Sequence, residues 1–80
     1  MSDRDIYPGQ YYRHSKSGKD YQVIGTGIHT ETEEAVIVYR PLYPSEHQLF
    51  VRPIRMFTEE VAIDGVKRAR FEKVSPYVNQ

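Results

Sequence analysis

The run Ala35-Val36-Ile37-Val38-Tyr39 constrains this chain more than any other feature. It is dense in β-branched and aromatic residues, which fit a pleated surface and resist helix. With no polar residue alternating through it, it reads as a central strand buried on much of both faces, with Val36, Val38 and Tyr39 filling the inside of a closed sheet. Helical periodicity is weak elsewhere, and short β-branched or aromatic stretches recur between turn signals. The chain is therefore expected to be all-β.

Turn chemistry divides the rest into short strands. Pro8-Gly9 opens the ordered part, and Gln10 to His14 follow as a first strand with Tyr12 facing inward. The polar stretch Ser15 to Asp20 contains Gly18 and forms a turn, after which Tyr21 to Ile28 run as a long second strand. Gly25 and Gly27 interrupt that strand while its apolar phase shifts from Tyr21 and Val23 to Ile24 and Ile28, the signature of a bulge, a sharp bend or a close backbone approach. His29 to Glu34 make a polar connection into the Ala35–Tyr39 strand, which Arg40-Pro41 ends, and residues 42–47 form a surface loop. Leu49 to Arg52 make a short strand that Pro53 ends or confines to an edge, because proline cannot donate to the ladder. Residues 56–61 fit either one helical turn or an approach to the next strand. Asp64-Gly65 between branched apolar residues favours a two-residue type I′ hairpin, and a last strand is expected to continue through Phe71 to Val74.

Five or six short strands of this kind close most readily into a barrel, which hides their edges. With 80 residues there is material for one core, so the expected organisation is a tail over 1–7, a single β domain over 8–74 and a tail over 75–80. The stability available to such a chain is about 4–12 kcal/mol. Without cysteine, neither a disulfide nor a thiolate zinc site can supplement that core. No apolar run approaches the about 18 residues of a membrane span, and the opening Met1-Ser2-Asp3-Arg4-Asp5 is too polar for a targeting peptide, so a bacterial, cytoplasmic protein is expected.

The motifs Pro8-Gly9-x-Tyr11-Tyr12-Arg13-His14, Tyr21-x-Val23, His29-Thr30-Glu31-Thr32, Val38-Tyr39-Arg40-x-Leu42-Tyr43, Val51-Arg52-Pro53-x-x-Met56-Phe57 and Arg70-Phe71 resemble a small bacterial family, domain of unknown function 1653. The resemblance spans nearly the whole ordered chain. Phe50 stands where the family often has tryptophan, and Ala69 where proline usually precedes Arg-Phe. The resemblance implies an SH3-like β-barrel and no activity; a fold of that type would not settle function.

Function must then be sought in the polar residues. Lysine plus arginine balance aspartate plus glutamate at 11 each, which removes the global field expected of a nonspecific nucleic-acid binder. Seven of the ten aromatics are tyrosines, which can bury a ring and leave the hydroxyl at a wet rim. His14, His29, Glu31, Arg40, Tyr43, Arg52 and Arg70 lie at strand ends or beside aromatics and form the candidate ligand-binding set. Arginine grips carboxylate or phosphate with a planar fork, tyrosine adds a stacking face, and histidine donates or accepts near neutral pH. A purely structural alternative pairs Arg40 and Arg52 with Glu31 and neighbouring carboxylates to hold the barrel together.

These residues favour a noncatalytic module that presents a Tyr/Arg/His-lined groove to an acidic peptide, a protein loop or a small anionic ligand, with no cofactor. Lys67-Arg68-x-Arg70 beside Phe71, with Tyr12 and Tyr43, supports single-stranded nucleic-acid binding as the alternative. An enzyme would have to rest on His29 with Glu31, in a chain with no cysteine nucleophile, no phosphate loop and no serine elbow. A metal site built from His14, His29 and Glu31 lacks the close spacing of a ligand motif, so no metal is expected.

Overall fold

The computed structural model describes residues 6–74. Seven strands and one helical turn follow in order: β1 (Tyr11–His14), β2 (Asp20–Ile28), β3 (Ala35–Pro41), β4 (Phe50–Pro53), α1 (Ile54–Phe57), β5 (Glu60–Ile63), β6 (Val66–Ala69) and β7 (Phe71–Lys73). Five strands make one antiparallel sheet in the order β4-β3-β2-β1-β7, and β5 pairs with β6 in a second. The result is a small all-β barrel, as expected. Residues 1–5 and 75–80, most of the two expected tails, lie outside the described residues.

Local sequence accounts for most of these elements. The β2–β3 register shifts between Val23 and Gly25, so the bulge falls where the glycines and the phase change indicated. Neither glycine marks a close approach: a Cβ at Gly25 would meet nothing within 4 Å, and one at Gly27 would make an ordinary 3.7 Å contact with Val36. Asp64 and Gly65 both have positive φ, 53° and 78°, as a type I′ turn requires. Pro53 closes the edge strand β4, and its fixed φ of −55° leads directly into the single turn of α1. Both readings of residues 56–61 are thus partly realised, because the turn at Ile54–Phe57 is followed by the strand at Glu60–Ile63.

Three expectations need correction. The middle of the large sheet is β2, with β3 one place from the edge. Val36 and Val38 do not fill the main core: on β3 the alternation sends Ile37 and Tyr39 into it, and Val36 is buried outside that cluster. The last strand is also not continuous. It breaks at Arg70, where the backbone N–H donates to Glu59 O at 2.9 Å and the carbonyl accepts from Ser15 N at 2.9 Å. One residue therefore hands the chain from the small sheet to the large one.

The core joins Ile6, Tyr12, Tyr21, Val23, Ile37, Tyr39, Phe57 and Phe71. Ile6 packs there ahead of the Pro8-Gly9 turn expected to open the ordered part. Phe57 and Phe71 stack with centroids 4.1 Å apart and planes 4° apart, while Tyr12 and Tyr39 meet Phe57 edge-on at 5.2 and 5.4 Å. Such contacts add about 0.5–1.5 kcal/mol per pair beyond burial. In a core this small they are a substantial fraction of the total.

Two substitutions test this account. Phe57→Ala should cost about 3–5 kcal/mol, a large share of the about 4–12 kcal/mol available to so small a domain. Gly25→Ala, in open space and without positive φ, should raise stability by about 0.5–1 kcal/mol. Urea unfolding followed by circular dichroism measures both; destabilisation by Gly25→Ala would mean that the bulge needs glycine after all.

Candidate functional site

A basic and aromatic cradle lies around Phe71, built from the end of β1, the inner face of β4 and the break between β6 and β7. His14 closes β1 opposite Phe71 in the β1–β7 ladder, and its ring meets the phenyl edge at 5.0 Å. The turn after it is tight, with Gly18 N donating to His14 O at 2.7 Å and Gly18 at φ +75°. This turn brings the Ser17 N–H to His14 Nδ1 at 3.3 Å, with Ser17 Oγ 3.1 Å from the same nitrogen. The ring is thereby oriented through Nδ1, and among the described residues no protein group bonds Nε2.

Arg52 pairs with Ile37 across the β4–β3 ladder, so its side chain shares the inner face with Phe50 and Tyr39. Its Nε donates to the Tyr39 hydroxyl at 3.1 Å, and its guanidinium carbon lies over Phe71, 5.4 Å from the centroid. Among the described residues no carboxylate pairs with it. Arg70 is held at the sheet junction by its backbone and by an ion pair of Nη2 with Glu59. Its Nε is buried without a hydrogen-bond partner, an arrangement that costs about 1–3 kcal/mol.

Tyrosines line the adjoining side. The Tyr21 and Tyr43 hydroxyls are 2.8 Å apart, and Lys19 Nζ sits 4.6 Å from the centre of the Tyr43 ring. Burial, then the hydrogen bond with Tyr43, push the Tyr21 hydroxyl well above its usual range, which keeps it protonated. His14 moves the other way. Burial lowers its pKa below the ordinary 6.5, and the nearby charges of Arg52, Arg70 and Lys16 lower it further. Those contributions identify His14, Lys16, Arg52 and Arg70 as one electrostatic group.

Of the seven candidate residues, His14, Arg52 and Arg70 come together, and Tyr43 joins them through Tyr21 and its contact with the same aromatic core. The other three do not. His29 and Glu31 lie in the β2–β3 turn, beyond the Ile28–Ala35 pair that ends the ladder far from Tyr21 and Pro41. There His29 Nδ1 accepts from the backbone N–H groups of Glu31 at 3.2 Å and Thr32 at 3.3 Å, which caps the turn. Arg40 alternates to the opposite face from Tyr39, and its Nε donates to Gln22 Oε1 at 2.9 Å. The structural alternative also needs correction, because neither Arg40 nor Arg52 pairs with Glu31, and the carboxylate of Glu34 binds Arg55 at 2.6 Å. Among the described residues no three His, Cys, Asp or Glu side chains gather as a metal site.

Sequence reasoning missed Lys16, Lys19 and Tyr21 as parts of this cradle. The available signal was the turn after His14, which has to carry its lysines close to that strand end.

Residues 10–73 match the family described as Protein of unknown function (DUF1653). The chain belongs to this family. A crystal structure of a DUF1653 protein from Bordetella bronchiseptica is 31% identical and superposes with a TM-score of 0.83, over 99% of this chain and 100% of the other. No curated protein matches. Membership therefore supports the fold and leaves function to be argued from the cradle.

The histidine provides a direct check of its electrostatics. Between its depressed pKa and 6.5, the unfolded chain binds a proton that the folded domain refuses, so stability falls as pH drops through that window and levels off below it. His14→Gln should remove this part of the pH dependence of urea unfolding. In an NMR titration the His14 ring should show a midpoint below 6.5, rising in Arg52→Gln. A wild-type midpoint at or above the ordinary value would contradict the clustering of charge.

Proposed function

We propose that this domain is a noncatalytic binding module of the bacterial cytoplasm, whose His14/Arg52/Arg70 cradle recognises an anionic group on an acidic peptide or protein loop, or on a small ligand. The observation that carries this reading is Arg52. Its guanidinium is seated on Phe71 and steered by the Tyr39 hydroxyl, yet no carboxylate among the described residues neutralises it. An arginine held in this way has lost its rotamer freedom before any ligand arrives, so little of the binding energy is spent on ordering it. Arg70 and Lys16 add positive charge close by, against the carboxylate of Glu59, and burial followed by these cations lowers the His14 pKa.

The competing assignments have less support. Arg68 pairs with Glu72 at 3.7 Å and Arg70 with Glu59, so two of the three basic residues proposed for a nucleic-acid platform have carboxylate partners. His29 and Glu31 meet through a ring nitrogen and a backbone amide, which gives no carboxylate–imidazole couple for acid–base work. Among the described residues, no helix is long and apolar enough to cross a membrane.

Titration of the isotope-labelled domain with a hexaglutamate peptide at low salt tests the proposal. Chemical-shift changes should centre on His14, Arg52 and Arg70. Arg52→Gln should weaken binding about tenfold or more, the worth of one charged hydrogen bond, and Arg40→Gln on the opposite face should leave it unchanged. Equal binding by the Arg52 variant would overturn the assignment. Tighter binding of oligothymidylate, with affinity falling linearly against salt on logarithmic axes, would replace it with the nucleic-acid reading.

A further inference from the structure

A small pocket of about 220 Å³, which shares His14 and Arg70 with the cradle, opens between the turn after β1 and strand β5. His14, Lys16 and Arg70 form its polar side, and Val61, Ala62 and Ile63 of β5 complete it. From these linings we propose that the pocket is a subsite for a small aliphatic monocarboxylate group, its carboxylate on Lys16, Arg70 and His14 and its hydrocarbon against β5. The assignment rests on the anion-binding reading above and narrows it to one chemical class.

Three observations select that class. First, the volume equals that of about seven waters at roughly 30 Å³ each, which limits the occupant to a group of about that many non-hydrogen atoms. Second, the wall is chemically divided. Cations on one side call for an oxyanion, while Val61 and Ile63, partly buried on alternate positions of β5, offer apolar surface that a bare phosphate or sulfate would leave wet. Third, the charge is suited to a single negative group. Glu59 already pairs with Arg70, so Lys16 and Arg70 together leave about one positive charge unbalanced. His14, whose ring is held through Nδ1, adds Nε2 as a hydrogen-bonding group that stays uncharged near neutral pH.

The polar side is also built before the ligand comes. Arg70 is pinned through both its backbone groups and Glu59, and the Ser15 hydroxyl donates to the carbonyl of Ala69, locking the turn against the sheet junction. The carboxylate can belong to a free short-chain acid or to the end of a peptide side chain, and the subsite recognises the same atoms in either.

The experiment is a chain-length series of acetate, propionate, butyrate, valerate and octanoate, titrated into the labelled full chain, with inorganic phosphate and a hexaglutamate peptide in parallel. Affinity should rise about three- to fourfold per methylene from acetate to valerate and fall back at octanoate, with shifts at His14, Lys16, Val61 and Ile63. Val61→Thr, which preserves side-chain shape, should flatten the series, and Lys16→Gln should weaken every member of it. A stronger response to hexaglutamate than to valerate at these same residues would assign the subsite to a peptide side chain. A flat series, or phosphate tighter than valerate, would overturn the subsite. If hexaglutamate still bound through Arg52 in that case, the broader anion-binding reading would survive it; if no probe bound at all, both would fall.

Discussion

Phe71 occupies the point on which both the core and the cradle depend. Its ring stacks on Phe57 from the single helical turn, meets Tyr21 and Tyr39 edge-on, and supports His14 and Arg52. One side chain thus joins α1, β1, β2, β3 and β4 at the start of β7. In a domain without disulfides, this arrangement lets a few large rings supply cohesion that a thin aliphatic core would lack.

The same ring brings positive charges together. A guanidinium over an aromatic face gains from the ring quadrupole without needing a carboxylate, so Arg52 can remain partly buried with the Tyr39 phenol as its one hydrogen-bonding partner among the described residues. Arg70 and Lys16 add to the local field, which reinforces the larger effect of burial in loosening the His14 ring's hold on its proton. The gathering of positive charge around Phe71 is therefore a consequence of how the core is closed.

Much of the fold is legible because its causes are local. The bulge near Ile24, the type I′ turn at Asp64-Gly65 and the edge placement of β4 each follow from backbone chemistry over a few residues. The break at Arg70 has no such local cause. Nothing in Val66 to Val74 requires it, and it arises from hydrogen bonds to Glu59 and Ser15, the latter more than fifty positions away. The inward face of β3 is not legible for a related reason: a continuous apolar run has no alternation to show which side meets the core.

The candidate site divides along the same line. Residue chemistry nominated arginines, histidines and a tyrosine at strand ends, since their donors and rings are visible in the sequence. Which strand ends meet is set by the order β4-β3-β2-β1-β7, and that order puts His14 and Arg52 around Phe71 while leaving His29 and Glu31 at the far hairpin. By itself, then, the sequence determined an all-β domain, its main turns and the kinds of side chain available for recognition, because these follow from backbone preference and functional groups. Only the tertiary structure decided which of those groups share one surface, because strand pairing and ring packing bring together residues whose separation along the chain carries no information about their distance in space.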